Sequence, residues 1–296
     1  MTSINDDSQP SVRQALRARL AQPDILVAPG IFDMISAKMA DSMGFDCLYM
    51  TGFGTVASYL GLPDAGLATY TDMVNRVAAF CGGTRTPVIC DGDTGYGGLL
   101  NVAHTVRGYE QAGAAGIQLE DQEFPKKCGH TPGRRVIPLD DMVRKIKVAA
   151  QARQDNNFQI IARTDARTSL GLDEALRRGE AFAKAGADVI FIESPESVEE
   201  LEKIGRSFDL PLLVNVVEGG RTPQLAPADL QKLGFSLAIY PASGFLAVAK
   251  ALKDMYGEIK QLKGTEGAKQ ALYPFADMCE LMGFPGVWEF DRLHAD

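Results

Sequence analysis

The chain contains eight short apolar runs that are rich in β-branched and aromatic residues. Each run is hydrophobic almost without interruption, which is typical of parallel strands buried on both faces of a sheet. The runs cover residues 24–30, 47–52, 87–93, 116–121, 159–165, 189–194, 211–216 and 236–241. The pattern therefore predicts eight buried parallel strands.

Helical patterns lie between these runs, and a glycine recurs where a helix gives way to a strand. Val102, Val106 and Tyr109 share one helical face, and Gly113 follows as a C-terminal cap. The junctions MGFDCLYM, AGAAGIQL, AGADVIFI and LGFSLAIY repeat the same order of helix end, glycine and strand. Repeated units of this kind predict a (β/α)8 TIM barrel, with a doubly wound open sheet as the alternative.

Two further helical segments are predicted outside the barrel. Ser11 to Gln14 reads S-V-R-Q, a capping box that would open an N-terminal helix over about residues 11–22. The segment from about 253 to 296 also has a helical pattern. Because no linker or low-complexity stretch divides the chain, residues 1–296 are predicted to form one domain.

Composition argues against several functional classes. The net charge of the 296 residues is −8 and no basic run occurs, which disfavours nucleic acid and anionic membranes as partners. No apolar run reaches the roughly 20 residues of a membrane helix, and the polar start lacks the apolar core of a signal peptide. The five scattered cysteines, never in CxxC spacing, indicate free thiols in a reducing compartment. We therefore expect a soluble cytoplasmic protein.

Polar residues gather at the C-terminal ends of the predicted strands, where TIM barrels carry their functional groups. The residues at these ends are Thr51, Gly52, Asp91, Asp93, Glu120, Asp121, Arg163, Asp165, Glu193, Asn215 and Glu218. The opposite strand ends carry no convergent chemistry. The sequence thus predicts a functional site at one mouth of the barrel.

The segment DGDTGYGG suggests a metal site at this mouth. Asp91 and Asp93 alternate along a strand and so lean to the same side, while the glycines let a ligand approach the backbone. Clustered carboxylates repel one another, and a hard divalent cation such as Mg²⁺ or Mn²⁺ relieves that repulsion. Asp64 and Glu120 are expected nearby. The alternative is a tight turn whose aspartates cap the next helix.

Arg163 follows a buried strand and is suited to bind a carboxylate through two hydrogen bonds. An ion pair with Asp165 or Glu193 is a compatible second interpretation. This position indicates an acidic small molecule as the substrate.

Cys128 lies in the polar segment FPKKCGH on the same face, beside Lys126, Lys127 and His130. Neighbouring cations lower the pKa of a thiol, so it could exchange a proton near neutral pH. A proton donor or acceptor fits this setting best. A Cys-His nucleophile and a buried packing residue remain as alternatives.

Taken in order, these motifs resemble the isocitrate lyase/phosphoenolpyruvate mutase superfamily over nearly the whole chain. The matching segments are APGIFDMISAKMA, YMTGFGTVASYLGLPDAG, DGDTGYGG, LEDQEFPKKCGH, IIARTDAR, FIE, NVVEGGRTP and AIYPASG. The resemblance is closest to dimethylmalate lyases, methylisocitrate lyases and carboxyphosphonoenolpyruvate phosphonomutases. It implies a (β/α)8 barrel, Mg²⁺ for which Mn²⁺ can substitute, and a homotetramer that exchanges a C-terminal helical segment between subunits.

The resemblance also implies roles for single residues. It assigns direct metal binding to Asp91, and water-mediated metal binding to Asp64, Asp93 and Glu120. It implies substrate contacts for Thr51, Gly52, Phe53, Gly129, Arg163, Glu193 and Asn215. It implies a mobile gating loop that carries Lys126, Lys127, Cys128 and His130, with Cys128 as the catalytic acid. The implied reaction cleaves a 2-hydroxy dicarboxylate to pyruvate and a carboxylate.

Two positions depart from the methylisocitrate lyase pattern. Those enzymes usually carry an arginine after strand 8 and a threonine two residues after the strand-7 asparagine, where this chain has Leu246 and Val217. A less polar pocket suggests a 2-alkylmalate such as 2,3-dimethylmalate, with 2-methylisocitrate as the other lyase substrate. The alternatives are a phosphonomutase, an oxaloacetate hydrolase or decarboxylase, and a barrel that binds without turnover.

Overall fold

A computed structural model of the chain describes residues 11–129, 131 and 133–295. Its strands are β1 (Leu26–Ile31), β2 (Leu48–Met50), β3 (Val88–Asp91), β4 (Gly116–Glu120), β5 (Gln159–Thr164), β6 (Val189–Ile192), β7 (Leu212–Asn215) and β8 (Leu237–Tyr240). Each strand pairs in parallel with the next, and β8 pairs with β1 to close the barrel. The predicted TIM barrel is therefore confirmed, and the open-sheet alternative is wrong.

At least one helix lies between each strand and the next, two helices follow β2 and β5, and additional helices lie at both ends of the chain. They are α1 (Val12–Leu20), α2 (Met34–Ser42), α3 (Gly52–Leu60), α4 (Tyr70–Gly83), α5 (Leu99–Gln111), α6 (Leu139–Ala152), α7 (Ala166–Leu170), α8 (Leu172–Ala185), α9 (Val198–Gly205), α10 (Pro227–Lys232), α11 (Ser243–Leu262), α12 (Phe275–Leu281) and α13 (Phe284–His294). None of the helices in the described part of the chain has the length and apolar character that a bilayer span requires.

The glycines at the helix-to-strand junctions adopt a backbone that other residues avoid. Gly44, Gly113, Gly186 and Gly234 have φ between 76° and 106°, in the left-handed region where a Cβ is unfavourable. This conformation turns the chain from the end of a helix into the next strand. The repeated glycines in the sequence therefore report a repeated backbone turn.

Helix α1 covers the N-terminal end of the barrel. The predicted capping box is present, because Gln14 N donates to Ser11 Oγ and Ser11 N donates to Gln14 Oε1. Leu16 and Leu20 pack with the side chains that fill the barrel interior. Arginines of α1 donate to carbonyl groups that precede β1, β4 and β5. This end is thus packed shut, and the polar strand ends lie at the opposite mouth.

The C-terminal segment begins earlier than the sequence pattern suggested. Helix α11 starts at Ser243, directly after β8, whereas the helical pattern was assigned from about residue 253. Within the described chain, no residue of α11, α12 or α13 is buried. Their apolar side chains therefore lie on the surface of the isolated chain.

Candidate active site

A cavity of about 260 Å³ opens at the C-terminal mouth of the barrel. The residues named from the sequence that line it are Thr51, Gly52, Phe53, Asp64, Asp91, Glu120, Lys126, Lys127, Cys128, Gly129, Arg163, Asn215, Val217, Glu218 and Leu246. Asp93 and Glu193 are buried and contact lining residues, while His130 lies outside the described residues. The chain thus brings the described members of the predicted set to one place.

Four carboxylates surround the ammonium group of Lys126. Lys126 Nζ lies 2.5 Å from Asp64 Oδ1 and 2.5 Å from Asp93 Oδ1. Asp91 ends β3, and its Oδ1 accepts hydrogen bonds from Asp93 N at 3.0 Å and from Gln118 Nε2 at 3.3 Å. Glu120 ends the neighbouring strand β4. The cluster is buried and carries more carboxylates than cations.

Burial or neighbouring charges raise the pKa values of three groups in this cluster, Asp93, Glu120 and Lys126. Burial raises the pKa of Asp93 to about 7, although Lys126 opposes the shift, and Asp91 and Asp64 add to it. Burial likewise raises the pKa of Glu120 well above its usual range, against the effect of Arg163 and Lys126. Burial alone would lower the pKa of Lys126, but Asp93 and Asp64 outweigh it and raise that pKa. Added positive charge would therefore stabilise the cluster.

The residues at this cluster fit a hard divalent cation. Glu120 Oε1 is buried and has no hydrogen-bond partner among the described residues. A Cβ at Gly52 would lie 2.4 Å from Asp91 Oδ2, so glycine leaves room for this carboxylate beside the backbone. In the described ranges, no three His, Cys, Asp or Glu side chains are arranged to hold a metal ion by themselves. Few carboxylate ligands, with water completing the shell, suit Mg²⁺ or Mn²⁺ and not a structural zinc ion.

Arg163 is held in a fixed orientation at the wall of the cavity. Its Nε and Nη2 donate to Asp165 Oδ2 and Oδ1, both at 2.9 Å. Its Nη1 lies 3.3 Å from Glu193 Oε2, an atom that also accepts from Asn215 Nδ2 at 3.1 Å. Both predicted ion pairs therefore exist, and the guanidinium still lines the cavity. Glu193 is not on the cavity wall, and in the described structure it contacts Arg163 and Asn215.

The loop between β4 and α6 closes over the cavity and carries Cys128. A bridge between Gln122 and Val136 joins the two ends of this loop. Cys128 N donates to Asp64 O at 3.2 Å, and Ser194 Oγ donates to Gly129 O at 3.1 Å. These bonds place the half-buried Cys128 on the same cavity wall as Asp91 and Arg163. The five cysteines all lie in the described part of the chain, and none of them forms a disulfide, as predicted.

Helix α3 points its amino end at the cavity. Thr51 is its N-cap, Gly52 its first residue and Phe53 its second, and all three line the cavity. The cap makes no side-chain hydrogen bond, so backbone N–H groups at this end are available to an acidic ligand. An anion could thus be held between this end and Arg163.

Tyr49 and Phe245 belong to the site but were not predicted from the sequence. The hydroxyl of Tyr49 donates to Gln118 Oε1 at 2.8 Å, and Gln118 Nε2 donates to Asp91, so a hydrogen-bonded chain supports the carboxylate. Tyr49 lies two residues before Thr51, and strand alternation could have indicated that both face the interior. Phe245 also lines the cavity, but no motif marked it.

Comparison with known proteins matches residues 16–260 to the family described as phosphoenolpyruvate phosphomutase. The chain is 46% identical over 280 residues to 2,3-dimethylmalate lyase of Eubacterium barkeri, which covers 95% of this chain and 97% of that enzyme. The solved complex of oxaloacetate acetylhydrolase with 3,3-difluorooxalacetate has a TM-score of 0.90 at 34% identity, covering 95% of this chain and 96% of the other. Phosphonopyruvate hydrolase with oxalate and Mg²⁺ has a TM-score of 0.88 at 30% identity, covering 97% of this chain and 100% of the other.

Gly52→Ala tests the space beside Asp91. The added Cβ would press on Asp91 Oδ2, so we expect the dissociation constant for Mn²⁺ to rise by at least about tenfold, or about 1.4 kcal/mol. Isothermal titration of the purified protein with Mn²⁺ measures this. Gly82→Ala is the matched control, because a Cβ there meets no atom within 4 Å. Unchanged Mn²⁺ affinity in Gly52→Ala would show that Asp91 does not hold the ion.

Proposed function

The chain belongs to the phosphoenolpyruvate phosphomutase family, and from this membership we propose that it is a Mg²⁺-dependent carbon–carbon lyase. The proposed substrate is a 2-alkylmalate such as 2,3-dimethylmalate, cleaved between C2 and C3 to pyruvate and a carboxylate. The observation that carries the proposal is that Cys128, Asp91 and Arg163 line one cavity. The similarity to 2,3-dimethylmalate lyase supports it further.

Different residues of the cavity would bind the substrate carboxylate and hold the cation that stabilises negative charge. Arg163 and the amino end of α3 would bind the carboxylate at the end of the substrate that becomes pyruvate. Asp91 would hold the divalent cation directly, with Asp64, Asp93 and Glu120 acting through water. The cation, which accompanies oxalate in the phosphonopyruvate hydrolase relative, would supply Lewis-acid stabilisation of negative charge on substrate oxygens.

Proton transfer completes the cleavage. A carboxylate of the cluster would accept the C2 hydroxyl proton, the C2–C3 bond would break in a retro-aldol-type step, and the bonding electrons would remain on C3. The Cys128 thiol donates its proton to C3, which releases a saturated carboxylate such as propionate. Lys126 and Lys127 lie on the same wall and add positive charge. The loop over the cavity would exclude water while the carbanion exists.

The far wall of the cavity supports an alkyl substrate. Val217, Phe245 and Leu246 line this wall, including both positions that depart from the methylisocitrate lyase pattern. An additional carboxylate held against Val217 and Leu246 would lose its hydration without gaining a cationic partner from either side chain, which is unfavourable. A methyl group gains from the same contact.

Removal of the acid and of the metal ligand tests the chemistry. We expect Cys128→Ser and Asp91→Asn each to lower pyruvate release from 2,3-dimethylmalate by at least about a hundredfold. Coupled assay with lactate dehydrogenase measures pyruvate, with and without EDTA followed by Mg²⁺. Cys279→Ser is the matched control, because Cys279 lies in α12 and is not on the cavity wall. Full turnover in Cys128→Ser would refute the role of the thiol as the acid.

Leu246→Arg tests the choice of substrate. The new cation would lie on the apolar wall, so we expect kcat/KM to shift from 2,3-dimethylmalate towards 2-methylisocitrate by about tenfold or more. Leu252→Arg, a similarly exposed leucine of α11 that is not on the wall, is the control. An unchanged ratio of the two kcat/KM values would exclude Leu246 as a determinant of specificity.

Oxaloacetate hydrolysis is the second candidate, favoured by the TM-score of 0.90 to oxaloacetate acetylhydrolase. Both reactions use a substrate with two carboxylates, so the geometry of the anchor alone does not separate them. Oxaloacetate and carboxyphosphonoenolpyruvate belong in the same substrate panel, read by oxalate release and by phosphorus NMR. Turnover of either one without pyruvate release from any 2-alkylmalate would replace the lyase proposal.

We also propose that the chain forms a homotetramer in which the C-terminal helices pack on a neighbouring subunit. Large apolar side chains of α11 to α13 are exposed, with Phe275 at 84% and Trp288 at 57%, and their coverage by a second copy would be favourable. Helix α11 is continuous with the cavity wall through Phe245 and Leu246. Packing there would also support the site.

Light scattering on the eluting protein tests this assembly. We expect four chain masses for the wild type and a smaller species for Phe275→Asp/Trp288→Asp, since buried carboxylates would oppose packing. Glu289→Gln on α13, which alters an exposed charge, should remain a tetramer. A monomeric wild type across the working concentration range would rule out the proposal.

A further inference from the structure

Arg134 is a buried arginine of the loop between β4 and α6, and the proposed chemistry does not use it. Its guanidinium makes three contacts in three directions. Nη1 lies 2.5 Å from Asp165 Oδ1, Nη2 donates to Thr168 Oγ1 at 2.8 Å, and Nε donates to Thr131 O at 3.1 Å. A planar guanidinium can satisfy three such acceptors at once, whereas an ammonium group presents a single compact charge.

The first contact leads to the substrate anchor. Asp165 Oδ1 accepts from Arg134 and also from Arg163 Nη2, so one carboxylate oxygen joins the two arginines. Burial alone would raise the pKa of Asp165, but the charges and hydrogen bonds of Arg163 and Arg134 outweigh it and lower that pKa. Asp165 therefore stays ionised and holds both cations.

Asp165 is itself rigidly placed. Its backbone N–H donates to Asp121 Oδ1 at 2.9 Å. Asp121 Oδ2 accepts from Thr164 Oγ1 at 2.6 Å and from Arg178 Nη1 at 2.8 Å. The carboxylate that Arg134 binds thus belongs to the barrel wall and not to the loop.

The contact with Thr131 leads to the proposed acid. Thr131 O accepts from Arg134, while Thr131 N and Thr131 Oγ1 donate to Cys128 O at 3.0 Å and 2.7 Å. Arg134 is therefore connected to the backbone of Cys128 through one residue, and to Arg163 through another.

We propose that Arg134 is a positioning residue that couples the placement of Cys128 to the orientation of Arg163. When the loop is seated, one guanidinium fixes Asp165, which orients the anchor, and Thr131, which orients the turn at Cys128. The thiol is then in place when the anchor is ordered to hold a carboxylate. The inference rests on the proposed function for the roles of Cys128 and Arg163, and on the described contacts for the coupling.

A structural ion pair would stabilise the fold without this coupling, and the two cases differ in what they change. Loss of a structural pair lowers the melting temperature and leaves KM, kcat and the reactivity of Cys128 as they were. Loss of a coupling residue leaves Arg163 less well oriented, which raises KM. It also displaces Cys128, which lowers kcat and exposes the thiol.

Arg134→Gln and Arg134→Lys, each measured as the full-length protein, test the proposal. For Arg134→Gln we expect kcat to fall by about tenfold, KM for 2,3-dimethylmalate to rise severalfold, and iodoacetamide to alkylate Cys128 severalfold faster. Peptide mass spectrometry separates Cys128 from the other thiols, and the dissociation constant of oxalate with Mg²⁺ reports the anchor without turnover. Arg134→Lys should show a smaller change in each quantity, because lysine keeps the positive charge but lacks the planar guanidinium that donates in three directions.

Arg135→Gln is the matched control, since Arg135 is the next residue, is exposed and pairs with Glu123. It should leave all four quantities within about twofold of the wild type. An alkylation rate or an oxalate affinity in Arg134→Gln within the same range would overturn the coupling, whatever the effect on kcat. Should Arg134→Gln fail to fold, Arg134→Lys is judged by the same criteria. The alkylation rate and the oxalate affinity can be measured without lyase activity. A wild type that releases no pyruvate would therefore refute the proposed function, while these two measurements would still test the coupling.

Discussion

The architecture of the site depends on like charges that are buried together. Asp64, Asp91, Asp93 and Glu120 meet at one mouth of the barrel, where water does not screen their repulsion. Lys126 is the ammonium group that the described structure places among them. Burial of such a cluster requires compensating positive charge. Burial first, and neighbouring carboxylates second, raise the pKa values of Asp93 and Glu120. A site with this excess of negative charge favours the binding of a cation, and of an anionic ligand that binds together with the cation.

The backbone accommodates this cluster by coming unusually close to it. A Cβ at Gly52 would collide with Asp91, and a Cβ at Gly129 would collide with Arg163 and Glu193. Asp93 itself adopts φ of 48°, which is unfavourable for a non-glycine residue by about 1–2 kcal/mol. Strain of this kind persists where the surrounding bonds determine the conformation, as the Asp93 N–H to Asp91 bond does here.

Local features of the fold were predictable because they depend on neighbours in sequence. Apolar runs indicated the strands, the S-V-R-Q pattern indicated the cap of α1, and strand ends indicated which side carries the chemistry. The double ion pair of Lys126 was not predictable, since its partners come from two other segments of the chain. The ion pair of Glu193 with Arg163 was predictable, whereas its hydrogen bond from Asn215 was not. The substrate contact expected of Glu193 stays a prediction. Arg134 was not predicted as a site residue because its side-chain partners, Asp165 and Thr168, lie 31 and 34 residues away in sequence.

The placement of α1 has a consequence for the order in which the chain can assemble. This helix is made early, yet Arg13 donates to Ala114 O, 101 residues later, and Arg17 donates to Asn156 O, 139 residues later. Contacts of such sequence separation form late and slow the folding of a barrel. During synthesis, α1 can make both of these bonds only after residue 156 has left the ribosome, so the first helix made cannot complete its contacts until more than half of the chain exists.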